Sequence, residues 1–172
     1  MRKGIAIAVL GLALAGCQAI GPSDSGPPPV EDLGTTTGQQ RVDRKVPFPA
    51  QEYARLDRTG SATVTGRLFL ETTNGVVPGV GETVSIAPAT KYSAEAAEVA
   101  LTGRAIEPAD PRAREYTHYV TTDARGYFQA TGLPAGVFYI AGSVKPPGGE
   151  RRIIINQISL GEGQTLEVSL SR

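Results

Sequence analysis

From Ser61 onward, apolar side chains fall at every second position in short runs. Thr63-Val64-Thr65-Gly66-Arg67-Leu68-Phe69-Leu70 places Val64, Leu68 and Leu70 on one face, the two-residue period of a half-buried strand. Thr83-Val84-Ser85-Ile86 alternates in the same way, and residues 116–121 are rich in aromatic and β-branched side chains. Tyr127-Phe128-Gln129-Ala130, residues 137–144, the isoleucine-rich residues 151–160 and Leu166-Glu167-Val168-Ser169-Leu170 complete the series. Between the runs stand Asn74-Gly75, Asp123-Ala124-Arg125-Gly126, Leu133-Pro134-Ala135-Gly136, Pro146-Pro147-Gly148-Gly149 and Gly161-Glu162-Gly163. Each is a turn by composition. Seven short strands with frequent turns predict an all-β fold, an antiparallel seven-stranded sandwich over residues 61–172.

One stretch breaks the alternation. Residues 93–103 read as a short helix, with Ser93 as N-cap, Glu95 in the first turn and Gly103 as the stop. With Pro108 and Pro111 following, residues 91–114 are expected to be an insertion across one end of the sandwich. Residues 21–40 hold only Val30 and Leu33 as core-forming side chains. Such a segment buries too little apolar surface to offset its conformational entropy. Residues 17–60 are therefore expected to be a tether. As coil to residue 60 it would span roughly 35–40 Å. Within it, Val46, Phe48, Tyr53 and Leu56 leave two readings of residues 41–60 open: more tether, or a segment lying across the domain.

The first residues change the picture again. Arg2 and Lys3 precede an uncharged apolar run at residues 4–15. As a helix it rises about 18 Å, short of the roughly 30 Å hydrocarbon core. Residues 1–16 therefore read as a signal peptide. Leu14-Ala15-Gly16-Cys17 resembles the lipobox of bacterial lipoproteins. That resemblance implies cleavage between Gly16 and Cys17, lipidation of Cys17 and, with Gln18 rather than Asp following, an outer-membrane address facing the periplasm. Several acyl chains anchor a protein where one chain is marginal.

Composition narrows the chemistry. The 17 basic and 17 acidic side chains balance, which speaks against nucleic acid as a partner. Without Arg2 and Lys3, 15 basic and 17 acidic side chains remain, a formal charge of −2. One His, one Cys and no Trp make a zinc site or a Cys–His nucleophile difficult. His118 lacks a marked nucleophile such as Gly-x-Ser-x-Gly. Asp110, Asp123, Glu107 and Glu115 lack the dense alternation of a calcium loop. No catalytic residue, metal or cofactor is expected. Arg151 and Arg152 open a strand as edge protection, while Arg112 and Arg114 could meet an acidic partner or a glycan. Tyr116, Tyr119, Tyr127 and Tyr139 could stack on sugar or serve as core.

Thr122-Asp123-Ala124-Arg125-Gly126-Tyr127-Phe128 and Gly132-Leu133-Pro134-Ala135-Gly136-Val137-Phe138-Tyr139-Ile140 resemble the core motif of the carboxypeptidase regulatory-like domain. Val64-Thr65-Gly66-Arg67 and Pro78-Gly79-Val80 with Val84-Ser85-Ile86 match its opening strands. The resemblance covers about residues 61–145. It departs at Val137-Phe138, where the family has one residue between Gly and its aromatic. It implies a transthyretin-like sandwich that serves as a non-catalytic accessory module. The motif residues also have a folding role: Asp123 as an Asx-turn acceptor, Gly126 at positive φ, Pro134 and Gly136 in a second turn, and Phe128 and Tyr139 between the sheets. The expected function is an envelope lipoprotein presenting a sandwich to a protein partner or organising the envelope, with glycan or small-ligand binding as the alternative. A hydrolase ranks last.

Overall fold

The computed structural model describes residues 41–172. The signal peptide, the cleavage position at Gly16, the lipidated Cys17 and the tether as far as residue 40 lie outside the described residues. Eleven elements follow in order: α1 (Ala50–Tyr53), β1 (Ala62–Thr72), β2 (Gly75–Pro78), β3 (Thr83–Pro88), α2 (Lys91–Leu101), α3 (Pro111–Arg114), β4 (His118–Thr121), β5 (Tyr127–Leu133), β6 (Gly136–Val144), β7 (Arg152–Leu160) and β8 (Thr165–Ser171).

The strands form two four-stranded sheets. In the first, β1 carries β2 and β5 on one edge and β8 on the other. Leu68 is the hand-over from β5 to β2: its N–H donates to the Gly126 carbonyl at 2.8 Å and its carbonyl accepts from Gly79 N–H at 2.9 Å. The second sheet runs β4-β3-β6-β7, antiparallel throughout. The alternation read from sequence fills the space between them. Val64, Leu68 and Leu70 meet Val84, Ile86, Phe128, Ile140, Ile154 and Leu170 there, all buried. Full burial of one such side chain contributes about 1.5–3 kcal/mol relative to exposure, so this layer is the main source of stability.

The structure corrects the sequence reading in four places. The described residues hold eight strands, not seven, because residues 75–78 extend from the Asn74-Gly75 turn and pair with the far end of β1. The sandwich is not wholly antiparallel: β8 runs parallel to β1. The chain changes sheets between β7 and β8, so β8 is not held to the hairpin geometry that makes sequential neighbours antiparallel. The N-cap of α2 is Thr90, not Ser93. Its Oγ1 accepts from Ser93 N–H at 3.1 Å, and Ser93 Oγ accepts from Thr90 N–H at 2.9 Å, a reciprocal capping box. Tyr139 does not fill the space between the sheets. Phe138 does, at 3 % exposure, because the strand period pairs it with Ile140 and sends Tyr139 to the opposite face.

Of the two readings open for residues 41–60, packing on the domain is the one observed. Tyr53, Tyr92, Ala113 and Tyr116 form a second buried cluster with Val46, Phe48, Leu56 and Ala109 against it. The rings meet at tilted or edge-on angles, Phe48–Tyr53 at 4.9 Å and Tyr53–Tyr116 at 5.3 Å between centroids, the arrangement aromatic quadrupoles favour. Arg44 stacks on Tyr92 at 4.2 Å and Arg112 on Phe48 at 4.3 Å. Glu95 Oε1 accepts from Lys45 N–H at 2.7 Å, and Val42 bridges Ile106. Residues 42–56 are thus stitched to the insertion, which becomes one layer of an aromatic cap.

Candidate functional site

The turn after β4 builds the site. Asp123 Oδ1 accepts from Arg125 N–H at 2.8 Å and from Tyr127 N–H at 2.9 Å, an Asx-type turn. These N–H groups of Tyr127 and Arg125 hold the Asp123 carboxyl below its usual pKa, because they favour the ionised form. Gly126 takes φ +84°, a left-handed conformation that a Cβ disfavours. The turn therefore does more than close a loop. It delivers Arg125 and Tyr127 to the outer face of the first sheet.

The strand period brings the rest. On β1 the residues opposite the core include Thr65, Arg67 and Phe69. Arg67 lies across from Tyr127 on β5 and from Ser169 on β8; Thr65 lies between Gln129 and Glu167. Arg67 Nε donates to the Arg125 carbonyl at 3.0 Å. Its guanidinium carbon is 5.4 Å from the Phe69 ring centroid and 5.4 Å from that of Tyr127. The Arg125 guanidinium carbon is 5.7 Å from the same Tyr127 centroid. Tyr127 as a residue is 48 % exposed. A sheet face with an exposed aromatic side chain, two guanidinium groups and hydroxyl, amide and carboxylate neighbours can hold a polar ligand that has an apolar side.

The other sequence candidates are dispersed. The four tyrosines do not share a surface. Tyr116 is buried in the cap, Tyr127 is on the first sheet, and Tyr119 and Tyr139 lie on the outer face of the second. Phe128 is buried in the core, Pro134 is buried, and Gly136 opens β6 at φ +150°. Arg112 and Arg114 are taken up within the cap: Arg112 pairs with Asp110 at 2.9 Å, and Arg114 Nε donates to the Ala109 carbonyl at 3.2 Å. Arg151 clasps Glu82 and Ser143 at 2.6 and 2.7 Å, leaving the buried Ser143 hydroxyl satisfied. His118 is half-buried beside Ile86, and burial pushes its pKa down against a backbone hydrogen bond with residue 58. Among the described residues no group of three or more His, Cys, Asp or Glu is placed to hold a metal. No described helix is long and apolar enough to cross a membrane. Sequence reasoning missed the role of Arg67, because nothing in a linear run signals that it will face Tyr127, 60 positions later.

No family model matches the chain, and no curated protein matches it. Solved structures do. A Pseudomonas aeruginosa protein for which carbohydrate binding has been proposed matches at 25 % identity and a TM-score of 0.60, covering 74 % of this chain and 99 % of that one. The major pilin subunit of Bacillus cereus matches at 13 % identity and a TM-score of 0.35 over 67 % of this chain and 30 % of that one. The dioxygenase domain of a dioxygenase–carbohydrate-binding fusion from Streptomyces sp. SirexAA-E matches at 15 % identity and a TM-score of 0.35, covering 80 % of this chain and 90 % of that one. The last two are too distant in geometry to bear on this chain. The first likeness spans the whole of its counterpart and is to a β-sandwich of the kind described above.

Proposed function

We propose that this chain is a non-catalytic binding module of a bacterial envelope, anchored through lipid on Cys17, that holds carbohydrate on the outer face of its first sheet. The observation that carries the reading is the exposed Tyr127 with the guanidinium groups of Arg67 and Arg125 5.4 Å and 5.7 Å from its ring centroid. Tyrosine offers rigid contact area with little entropy to lose, so it suits the C–H face of a pyranose. Arg67, Gln129, Ser169 and Glu167 surround it with donors and acceptors for sugar hydroxyls. The similarity to the Pseudomonas aeruginosa protein points the same way. So does the resemblance to carboxypeptidase regulatory-like domains, which are accessory rather than catalytic. A shallow face binds weakly, and dissociation constants of about 10 μM to 1 mM are expected for one site.

In this reading the lipobox residues up to Cys17 anchor the protein in the outer membrane on its periplasmic side, and residues 18–40 space the sandwich from the headgroups. Presentation of the sandwich to a protein partner is the second reading. It is favoured by Val137 and Tyr119, which stand exposed on the outer face of the second sheet. Titration of the full chain against a panel of neutral and acidic polysaccharides separates the two. Carbohydrate binding predicts saturable binding that Tyr127→Ala removes while the melting temperature holds. Absence of binding across the panel sinks it. For the anchor, the intact mass of protein extracted from membranes should carry a diacylglyceryl adduct that Cys17→Ser lacks.

A further inference from the structure

We infer that the Arg67–Tyr127–Arg125 cluster selects sugars that carry a carboxylate, the uronic-acid units of acidic polysaccharides. The inference rests on the carbohydrate reading above and names its ligand class.

The charge balance of the face is the starting point. Three arginines of the described residues pair with carboxylates: Arg58 with Glu115, Arg112 with Asp110, and Arg151 with Glu82. Arg67 and Arg125 pair with no carboxylate among the described residues, although Arg67 is half-buried in the middle of a sheet. Three acids lie near in the fold. Asp123 feels the charge of Arg125, but its Oδ1 is committed to two backbone N–H groups. Glu167 is a diagonal step from Arg67 across the β1–β8 pair, and Glu71 is two outward positions further along β1. Neither forms an ion pair with the cluster.

Arg67 is also held in one orientation. Its Nε is spent on the Arg125 carbonyl, and Phe69 and Tyr127 flank its plane. That leaves its two Nη groups as an end-on fork, the geometry that takes both oxygens of a carboxylate. A hexuronate stacked on the exposed part of Tyr127 projects its carboxylate from the sugar ring's edge, and two guanidinium groups lie 5.4 Å and 5.7 Å from the tyrosine ring centre. The exposed aromatic ring beside them argues for a sugar over an acidic peptide, which would need the charges but not the ring.

The test uses the full chain and four polymers: polygalacturonate, its methyl ester, neutral dextran and poly-glutamate. Polygalacturonate should bind about tenfold more tightly than its ester, the gain of one charge-assisted contact. Arg67→Gln and Arg125→Gln should each erase that preference, Arg67→Lys should keep only part of it, and Tyr127→Ala should weaken acid and ester alike. The exposed Arg125 decides the matter should Arg67→Gln prove unstable. Equal affinity for acid and ester, or an unchanged preference in the arginine variants, overturns the inference while leaving carbohydrate binding in place. Equal or tighter binding of poly-glutamate overturns it in favour of an acidic peptide. Failure of every polysaccharide removes the carbohydrate reading as well.

Discussion

Replacing Gly126 with alanine separates two costs that usually arrive together. Gly126 has φ +84°, and a Cβ there would lie 2.5 Å from the Leu68 carbonyl oxygen. Gly81 has φ +65° with nothing within 4 Å of the same atom. Gly81→Ala therefore reports the left-handed conformation alone, about 1 kcal/mol. Gly126→Ala bears that cost and must also open the contact by about 0.9 Å to reach ordinary van der Waals distance. The Leu68 carbonyl has nowhere to go, since it accepts from Gly79 N–H while its own N–H donates to Gly126. Loosening those two bonds costs about 1 kcal/mol each. The expected loss is about 3 kcal/mol, against about 1 for Gly81→Ala. Urea unfolding of both variants, with equal m-values, measures the difference as a shift in midpoint. If Gly126→Ala comes within about 0.5 kcal/mol of Gly81→Ala, the close approach is not tight and the reasoning fails.

Two further expectations concern the cap. Tyr92 is buried, and its hydroxyl accepts from Asp110 N–H at 2.8 Å; Tyr92→Phe leaves that donor unpaired and should cost about 1–2 kcal/mol in chemical denaturation, whereas an unchanged midpoint means water replaces the hydroxyl freely. Acid should destabilise the fold in two stages. Burial disfavours the His118 imidazolium, so the unfolded chain binds that proton more readily and stability falls as pH drops below 6.5. Hydrogen bonds from Arg112 lower the Asp110 carboxyl from 3.8 to about 2, so its contribution is complete above 3.8 and is lost as pH falls toward 2. His118→Gln should flatten the upper limb and Asp110→Asn the lower one in thermal melts against pH; melts that keep both limbs in the variants would show that other groups carry the acid response.

The aromatic cap alters how the tether reading connects to the binding face. Residues 42–56 enter the packed unit through Val42, Glu95 and the ring cluster. In the proposed arrangement the spacer reaches the sandwich at this cap, not at the strand that bears Arg67. The cap's arginines have a packing role of their own. Arg44, Arg58 and Arg112 each lie over a ring, where the planar guanidinium covers apolar area and stays hydrated at its edge.

Local rules carried much of the chain. Alternation in residues 63–70 and 166–170 identified strands because each has one buried face. The Asp123–Gly126 turn was legible because its side-chain acceptor and its left-handed residue both lie within four positions. Gly103 marked the end of α2 for the same reason. What sequence reading could not decide was partnership at a distance. It could not choose Phe138 over Tyr139, since two adjacent aromatics satisfy the same composition and only the register against Ile86 and Ile158 sets the inward face. It could not see that β8 returns to the first sheet beside β1, or that Tyr53 would find Thr90. The pairing of Arg67 with Tyr127 belongs to this second class. Each residue obeys its own strand period, but the proposed binding face forms only once β1 and β5 align, and that alignment is set by the shared core beneath them.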